Sequence, residues 1–308
     1  MRYRFLTADV FTTEPFGGNP LGVLPDARGL DDARMQAIAR EFNLSETVFV
    51  LPPDDPAHTR RLRIFTPAAE LPFAGHPTVG TAIVLATEGE IALAGERTRI
   101  VFEEGVGPVP VAIDAREGRP VFAQLTTARA PEFGPAPEVE AIAAALSLPP
   151  DDLDRQGGLP QAASAGVPFL LVRLRRGETL ARARLDHAAW QRGVAGSWSE
   201  HLYVFADGGV VLGASVDFQA RAFVPGAGIE EDPATGAAAA AFGGWLGTAL
   251  DLPDGTHRFV IAQGVEMGRS SRLEVEVERA GRALAAVRVG GAAVLITEGE
   301  IQVPDARA

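Results

Sequence analysis

Gly75-His76-Pro77-Thr78-Val79-Gly80-Thr81-Ala82 and Glu231-Asp232-Pro233-Ala234-Thr235-Gly236-Ala237-Ala238 are two versions of one phrase. Proline and glycine hold register across the copies, and each copy runs into small apolar residues. A His-Pro or Asp-Pro step before helix formers places the polar residue at a helix entrance, with proline at the first helical position. Such an entrance carries unpaired backbone N–H groups and the positive end of the helix dipole. Two entrances facing each other across a cleft make a pocket for a small anion. Function is therefore sought at this pairing.

Outward from the first copy, residues 2–11, 21–24, 47–51 and 62–65 read as strands, because they alternate or are β-branched and apolar. Phe16-Gly17-Gly18-Asn19-Pro20 reads as a turn. Residues 31–42 have helical spacing, with Met35, Ile38, Ala39 and Phe42 on one face. Residues 79–86 are apolar on every side and predict a buried helix. Strands at 100–102, 109–113 and 121–125 complete the first half. The second half repeats the order: 167–172, 202–205 and 221–225 as strands, then the second phrase and its alanine-rich helix. Strands at 273–277, 286–289 and 293–296 close it. Residues 131–154 are rich in proline and acid, with a helical patch at 139–146, and contain the link between halves.

This pattern predicts an α+β fold of two pseudo-symmetric domains, each a strand-rich sheet or barrel wrapped around a central apolar helix. The boundaries are residues 1–128 and 129–285, with residues 286–308 as terminal strands free to pack back on the first domain. The 308 residues suffice for two domains with separate cores.

The net charge of 28 − 40 = −12 argues against nucleic acid or an anionic membrane as partner. Zero cysteines exclude disulfides, thiolate metal sites and thiol catalysis. The first acid, Asp9, comes too early for a signal-peptide apolar core. The uncharged run 233–250 approaches membrane-span length, but its alanine and glycine content reads as a buried helix. A cytoplasmic protein is expected. The histidines at 58, 76, 187, 201 and 257 lack metal-ligand spacing, and no nucleotide-binding glycine motif or nucleophile elbow occurs. No metal and no cofactor is expected.

Glu46, between a helix end and an apolar strand, is a loop carboxylate or a general acid/base whose pKa is raised by a dry pocket. His76 occupies the slot that the other phrase gives to Asp232, itself readable as a helix N-cap. Gly75 and Gly236 let backbone approach a ligand, or simply relieve a turn and a packing contact. Arg269, in Gln263-Gly264-Val265-Glu266-Met267-Gly268-Arg269, is a candidate for orienting a substrate carboxylate. Asn19 is explained by its turn and is a weaker candidate for substrate binding.

The ordered series Asp9-Val10-Phe11, Phe16-Gly17-Gly18-Asn19-Pro20, Asn43-Leu44-Ser45-Glu46-Thr47, Phe65-Thr66-Pro67, Glu70-Leu71-Pro72-Phe73-Ala74-Gly75-His76-Pro77-Thr78, Glu231-Asp232-Pro233-Ala234-Thr235-Gly236, Gln263-Gly264 and Gly268-Arg269 resembles the PhzF family. That family sits within the diaminopimelate-epimerase-like fold. The resemblance implies two pseudo-symmetric domains with the site in the cleft, a homodimer, and neither metal nor organic cofactor. It implies that Glu46 moves a proton between carbons of a cyclic amino acid, assisted by His76 and Asp232, with Gly75 and Gly236 lining the pocket. The phenazine enzyme carries serine after the second pocket glycine, where this chain has Ala237. A lost hydrogen bond to a buried polar group costs about 1–3 kcal/mol, enough to change the substrate. The expected function is a cofactor-independent isomerase acting on a small acid. The rivals are a non-catalytic metabolite- or protein-binding member of the fold, and a racemase with Glu46 and His76 as opposed bases.

Overall fold

The alternating residues at the start of the chain form β1 (Arg2–Val10), which turns back into β2 (Asn19–Leu24). After α1 (Asp32–Phe42) come β3 (Glu46–Leu51), β4 (Arg60–Phe65), the short β5 (Glu70–Leu71) and α2 (Gly75–Thr87). A meander of β6 (Arg97–Glu104), β7 (Gly107–Arg116) and β8 (Arg119–Thr126) follows. The second half comprises β9 (Glu132–Gly134), α3 (Val139–Ala145), β10 (Gln161–Ser164), β11 (Pro168–Arg173), α4 (Gly177–Leu180) and α5 (His187–Gly193). It continues with β12 (Leu202–Val211), β13 (Ala214–Val224), β14 (Ile229–Asp232), α6 (Gly236–Ala249), β15 (Gly255–Gln263), β16 (Ser271–Ala280) and β17 (Ala283–Gly291), and the chain ends in β18 (Ala293–Gln302). The structure, a computed structural model, describes residues 1–304 apart from 128, 212 and 282. It divides into one unit of Met1–Ala128 with Gly290–Ala308 and another of Arg129–Val289.

In the first unit β1 pairs antiparallel with both β18 and β2, and β2 runs parallel to β3. β3 and β4 are antiparallel, β4 and β6 parallel, and β6, β7 and β8 form the antiparallel meander. These strands curl around α2, which packs against β1, β2, β3, β7, β8 and β18. Residues Gly75 to Ala86 are all buried, so this helix is held by the sheet and not by an amphipathic stripe. Gly80 is what lets it sit so close: a Cβ there would lie 2.5 Å from Val10 Cγ2 and 2.6 Å from Leu21 Cδ2.

The second unit repeats the scheme. β11 runs parallel to β12, β12 antiparallel to β13, β13 parallel to β15, and β15 antiparallel to β16. The short β14 lies beside β13 as β5 lies beside β4. α6 is the counterpart of α2, again buried nearly throughout. Five strands escape the sequence pattern: β5, β9, β10, β14 and β15. β14 is four residues long with three acids at its end, and β15 opens with exposed polar residues. Among the described residues no helix is long and apolar enough to cross a membrane.

Candidate functional site

Glu46 owes its position to the end of α1. Asp31 caps the helix start by accepting from the Arg34 N–H at 2.9 Å. Asn43 stops it in the left-handed conformation, φ 51°, with its N–H on the Ala39 carbonyl. Three residues later the chain enters β3 at Glu46, which sits opposite Leu21 of β2. The side chain is thereby placed at the mouth of a parallel strand pair, 9% exposed.

His76 comes to the same place from α2. Its Nε2 lies 3.1 Å from Glu46 Oε2, and its ring also bonds the Pro20 carbonyl at the start of β2. Burial pushes the imidazole down to about 3, so it is neutral across the physiological range. A neutral imidazole has one N–H, and a carbonyl can only accept. The proton therefore faces Pro20, and the ring's lone pair faces the carboxyl. Asn19, fully buried, directly precedes Pro20, and Gly75 is the first residue of α2. Glu46, His76, Asn19 and Gly75 are thus gathered in the first unit.

Asp232, Gly236, Ala237 and Arg269 belong to the second. Asp232 ends β14 and is 8% exposed. Its Oδ2 accepts from the Thr235 hydroxyl at 2.5 Å. Gln263, wholly buried at the end of β15, donates to the Asp232 carbonyl at 2.8 Å and to Thr235 Oγ1 at 2.9 Å. Its side-chain Oε1 accepts from the Thr235 backbone N–H at 3.3 Å. Gln263 and Thr235 were given no role from sequence. The available signal was a single amide at the end of the apolar run Phe259-Val260-Ile261-Ala262. Gly264, φ +73°, makes the turn after Gln263 possible, since a Cβ would lie 2.5 Å from the Arg269 carbonyl and 2.6 Å from that of Pro233. Arg269 closes this turn by donating its backbone N–H to the Gly264 carbonyl at 3.0 Å.

The repeated phrase does not repeat in three dimensions. α2 begins at Gly75, so His76 is its second residue and Pro77 its third. α6 begins at Gly236, with Thr235 as N-cap, and Asp232 lies in a strand before it. The expectation of proline at the first helical position, with His76 and Asp232 in equivalent slots, is therefore corrected. The equivalent pairs are Gly75-His76 and Gly236-Ala237. Asp232 does not cap α6, because Thr235 stands at the cap and turns its hydroxyl onto Asp232. Neither α2 nor α6 has a side-chain cap. Both helix starts thus keep backbone N–H groups available to an anion.

The histidine has a measurable signature. An unfolded imidazole takes a proton below about pH 6.5 that the folded one refuses until about 3. The folded pKa is depressed, so the unfolded state binds the extra proton and stability falls as pH drops through that window. The slope approaches about 1.4 kcal/mol per pH unit. Urea melts of wild type and His76→Asn over this range should differ by that slope; parallel curves would contradict it.

The sequence matches the family described as phenazine biosynthesis-like protein over residues 8–299. It is 46% identical over 305 residues to an uncharacterized isomerase of Mesorhizobium japonicum, covering 96% of this chain and 98% of that protein. It is 35% identical over 303 residues to the trans-2,3-dihydro-3-hydroxyanthranilate isomerase of Pseudomonas aeruginosa, covering 96% and 98%. The fold is similar to the crystal structure of a Bacillus anthracis phenazine biosynthesis protein of the PhzF family, with TM-score 0.86 and 26% identity over 98% of this chain and 100% of that one.

Proposed function

Since the chain belongs to the phenazine biosynthesis-like family and is an isomerase, we propose that it shifts a proton between carbons of a small carboxylate-bearing, cyclic amino-acid-like substrate by general acid/base catalysis without a cofactor. The observation that carries this is the contact of 3.1 Å between a buried carboxyl oxygen and a neutral, buried imidazole. In this reading Glu46 removes a proton from one carbon, the double-bond electrons shift, and the carboxyl, whose proton exchanges with water, delivers a proton to another carbon. His76 holds the carboxyl oriented and accepts its hydrogen bond while the proton is on oxygen. Asp232, fixed by Thr235, accepts from a polar group of the substrate. The uncapped N–H groups at Gly75 and Gly236 bind its carboxylate, with Asn19 and Arg269 as further contacts. The rest of this proposal is a cytoplasmic protein that works as a homodimer.

Deuterium is the test. The protein is incubated in D2O with a panel of cyclic amino acids that includes trans-2,3-dihydro-3-hydroxyanthranilate, the compound in the Pseudomonas aeruginosa relative's name. Loss of a carbon-bound proton signal, with appearance of an isomer, is expected for one member. A ligand that raises thermal stability while no deuterium enters carbon would replace the isomerase by a binding protein.

Ala237 supplies the second half of the experiment. It is partly exposed as the second residue of α6, the position to which the family resemblance assigns a serine. Ala237→Ser should raise kcat/KM for trans-2,3-dihydro-3-hydroxyanthranilate by about 5- to 150-fold, the equivalent of one regained hydrogen bond of about 1–3 kcal/mol. An unchanged or lower value would remove Ala237 from substrate selection.

A further inference from the structure

The Thr78 hydroxyl, wholly buried in the first turns of α2, meets two oxygen atoms: the Ala74 carbonyl at 2.8 Å and Glu104 Oε1 at 2.6 Å. A hydroxyl has one proton to donate, and a peptide carbonyl has none. With an ionised Glu104 the one hydrogen of Thr78 must be divided between two acceptors, whereas a protonated carboxyl can donate to Thr78 while Thr78 donates to Ala74, giving each contact its own hydrogen. This arrangement of oxygens favours a proton on Glu104. Its surroundings agree. Glu104 is 8% exposed, and its Oε2 is buried with no hydrogen-bond partner among the described residues. That is tolerable for the carbonyl oxygen of a neutral acid and costly for a carboxylate. Burial pushes the carboxyl up to about 8, opposed only by the hydrogen bond that Thr78 can donate to the ionised form.

The charges nearby are engaged elsewhere. On α2 the one titratable side chain is His76, which burial keeps neutral. On β4, Arg61 pairs with Asp54 at 3.0 Å, and Arg63 pairs with Asp32 and Glu70, each at 2.6 Å. The neighbouring Glu103 takes the His58 ring at 2.8 Å and the backbone N–H groups of Asp54 and Asp55, each at 2.7 Å. On β7 the residue opposite Glu104 is Gly107, and the strand's acid, Asp114, pairs with Arg97 at its far end. No cation is left to draw the proton off Glu104 among these groups.

We propose that Glu104 is a positioning residue for His76: its protonated carboxyl, through Thr78, ties down the Ala74 carbonyl and so fixes the helical turn that presents the imidazole to Pro20 and Glu46. The catalytic importance of this rests on the isomerase reading above, but the mechanical link does not. When Glu104 loses its proton, Thr78 faces two acceptors with one hydrogen. One contact must open, and the turn carrying His76 loosens.

The test is an NMR titration of the 15N-histidine-labelled protein without substrate, with the His76 signals assigned by their loss in His76→Asn. In wild type these signals should step as pH rises through about 8. In Glu104→Gln the amide still donates to Thr78 and cannot ionise, so the signals should stay at the wild-type neutral position and show no step. In Glu104→Ala, and independently in Thr78→Val, they should be displaced already at neutral pH. An alkaline step that persists in Glu104→Gln, or signals unmoved in both Glu104→Ala and Thr78→Val, would overturn the proposal. Because no turnover is read, failure of the isomerase assignment would leave this result standing, and the reverse holds as well.

Discussion

Glu46→Gln lowers proton transfer to carbon by about 10²- to 10⁴-fold, the range that a positioned acid/base contributes. Glutamine has the shape of glutamate and can still donate an N–H to His76 Nε2, which lies 3.1 Å from the native carboxyl oxygen. The cavity is refilled and the imidazole keeps a partner, so folding and ligand affinity are expected to survive. What disappears is the proton that can be accepted and returned. Glu46→Asp separates position from chemistry: the carboxyl remains but retreats by one methylene, and a misplacement of that order costs about 10²-fold. The measurement is deuterium entry into the substrate for the three proteins, beside their melting temperatures and ligand-induced stabilisation. Exchange within tenfold of wild type in Glu46→Gln would show that this carboxyl is not the proton carrier. Loss of binding and stability in step with activity would make it a structural residue.

How much of this could be read from the chain depends on which interactions are local. Glu46 was legible because Asn43-Leu44-Ser45 ends a helix and Thr47-Val48-Phe49-Val50 begins a strand, and a carboxylate at such a junction has no reason of its own to be buried. The two central helices were legible because both runs are apolar on every side. The parallel and antiparallel pairings that make the halves equivalent follow from the same strand order in each. The helix starts were not legible. A proline after histidine or aspartate favours a cap, but the cap is decided by which carbonyl the backbone can reach, and Thr235 takes that place because Gln263 and Asp232 hold it there. Gln263 itself is more than 25 residues away in sequence from its partners. Glu104 reads as an ordinary acid at the end of an alternating strand, and only the approach of Thr78 distinguishes it.

The same logic gives the largest expected loss of stability, at Arg221. This guanidinium is 3% exposed. It makes a two-pronged pair with Glu231 at 2.8 and 2.7 Å and donates to the Leu180 and Ala183 carbonyls at 2.9 and 2.8 Å. It also lies over the Phe223 ring, 5.0 Å from its centroid. Arg221→Ala strips all of these at once and leaves the Glu231 carboxylate, 14% exposed, with no counter-charge from this side. A broken buried pair of this kind costs about 3–5 kcal/mol. The pair as a whole is worth much less than that, because both charges had to leave water to form it. Arg221→Leu combined with Glu231→Leu should therefore recover most of the loss, as measured by urea denaturation of the single and double variants. A double variant no more stable than Arg221→Ala would mean that the carbonyl contacts, not the charge pair, hold this corner. The consequence reaches the site through the backbone. β14 meets β13 at Ala222 opposite Asp232 and at Val224 opposite Ile229, with the register slipping between them. So short a ladder leaves Asp232 to be held by Gln263 and Thr235 on one side and, through the neighbouring Glu231, by Arg221 on the other. The double variant should accordingly regain stability and still lose turnover, because leucines refill the space without clamping the strand that carries Asp232.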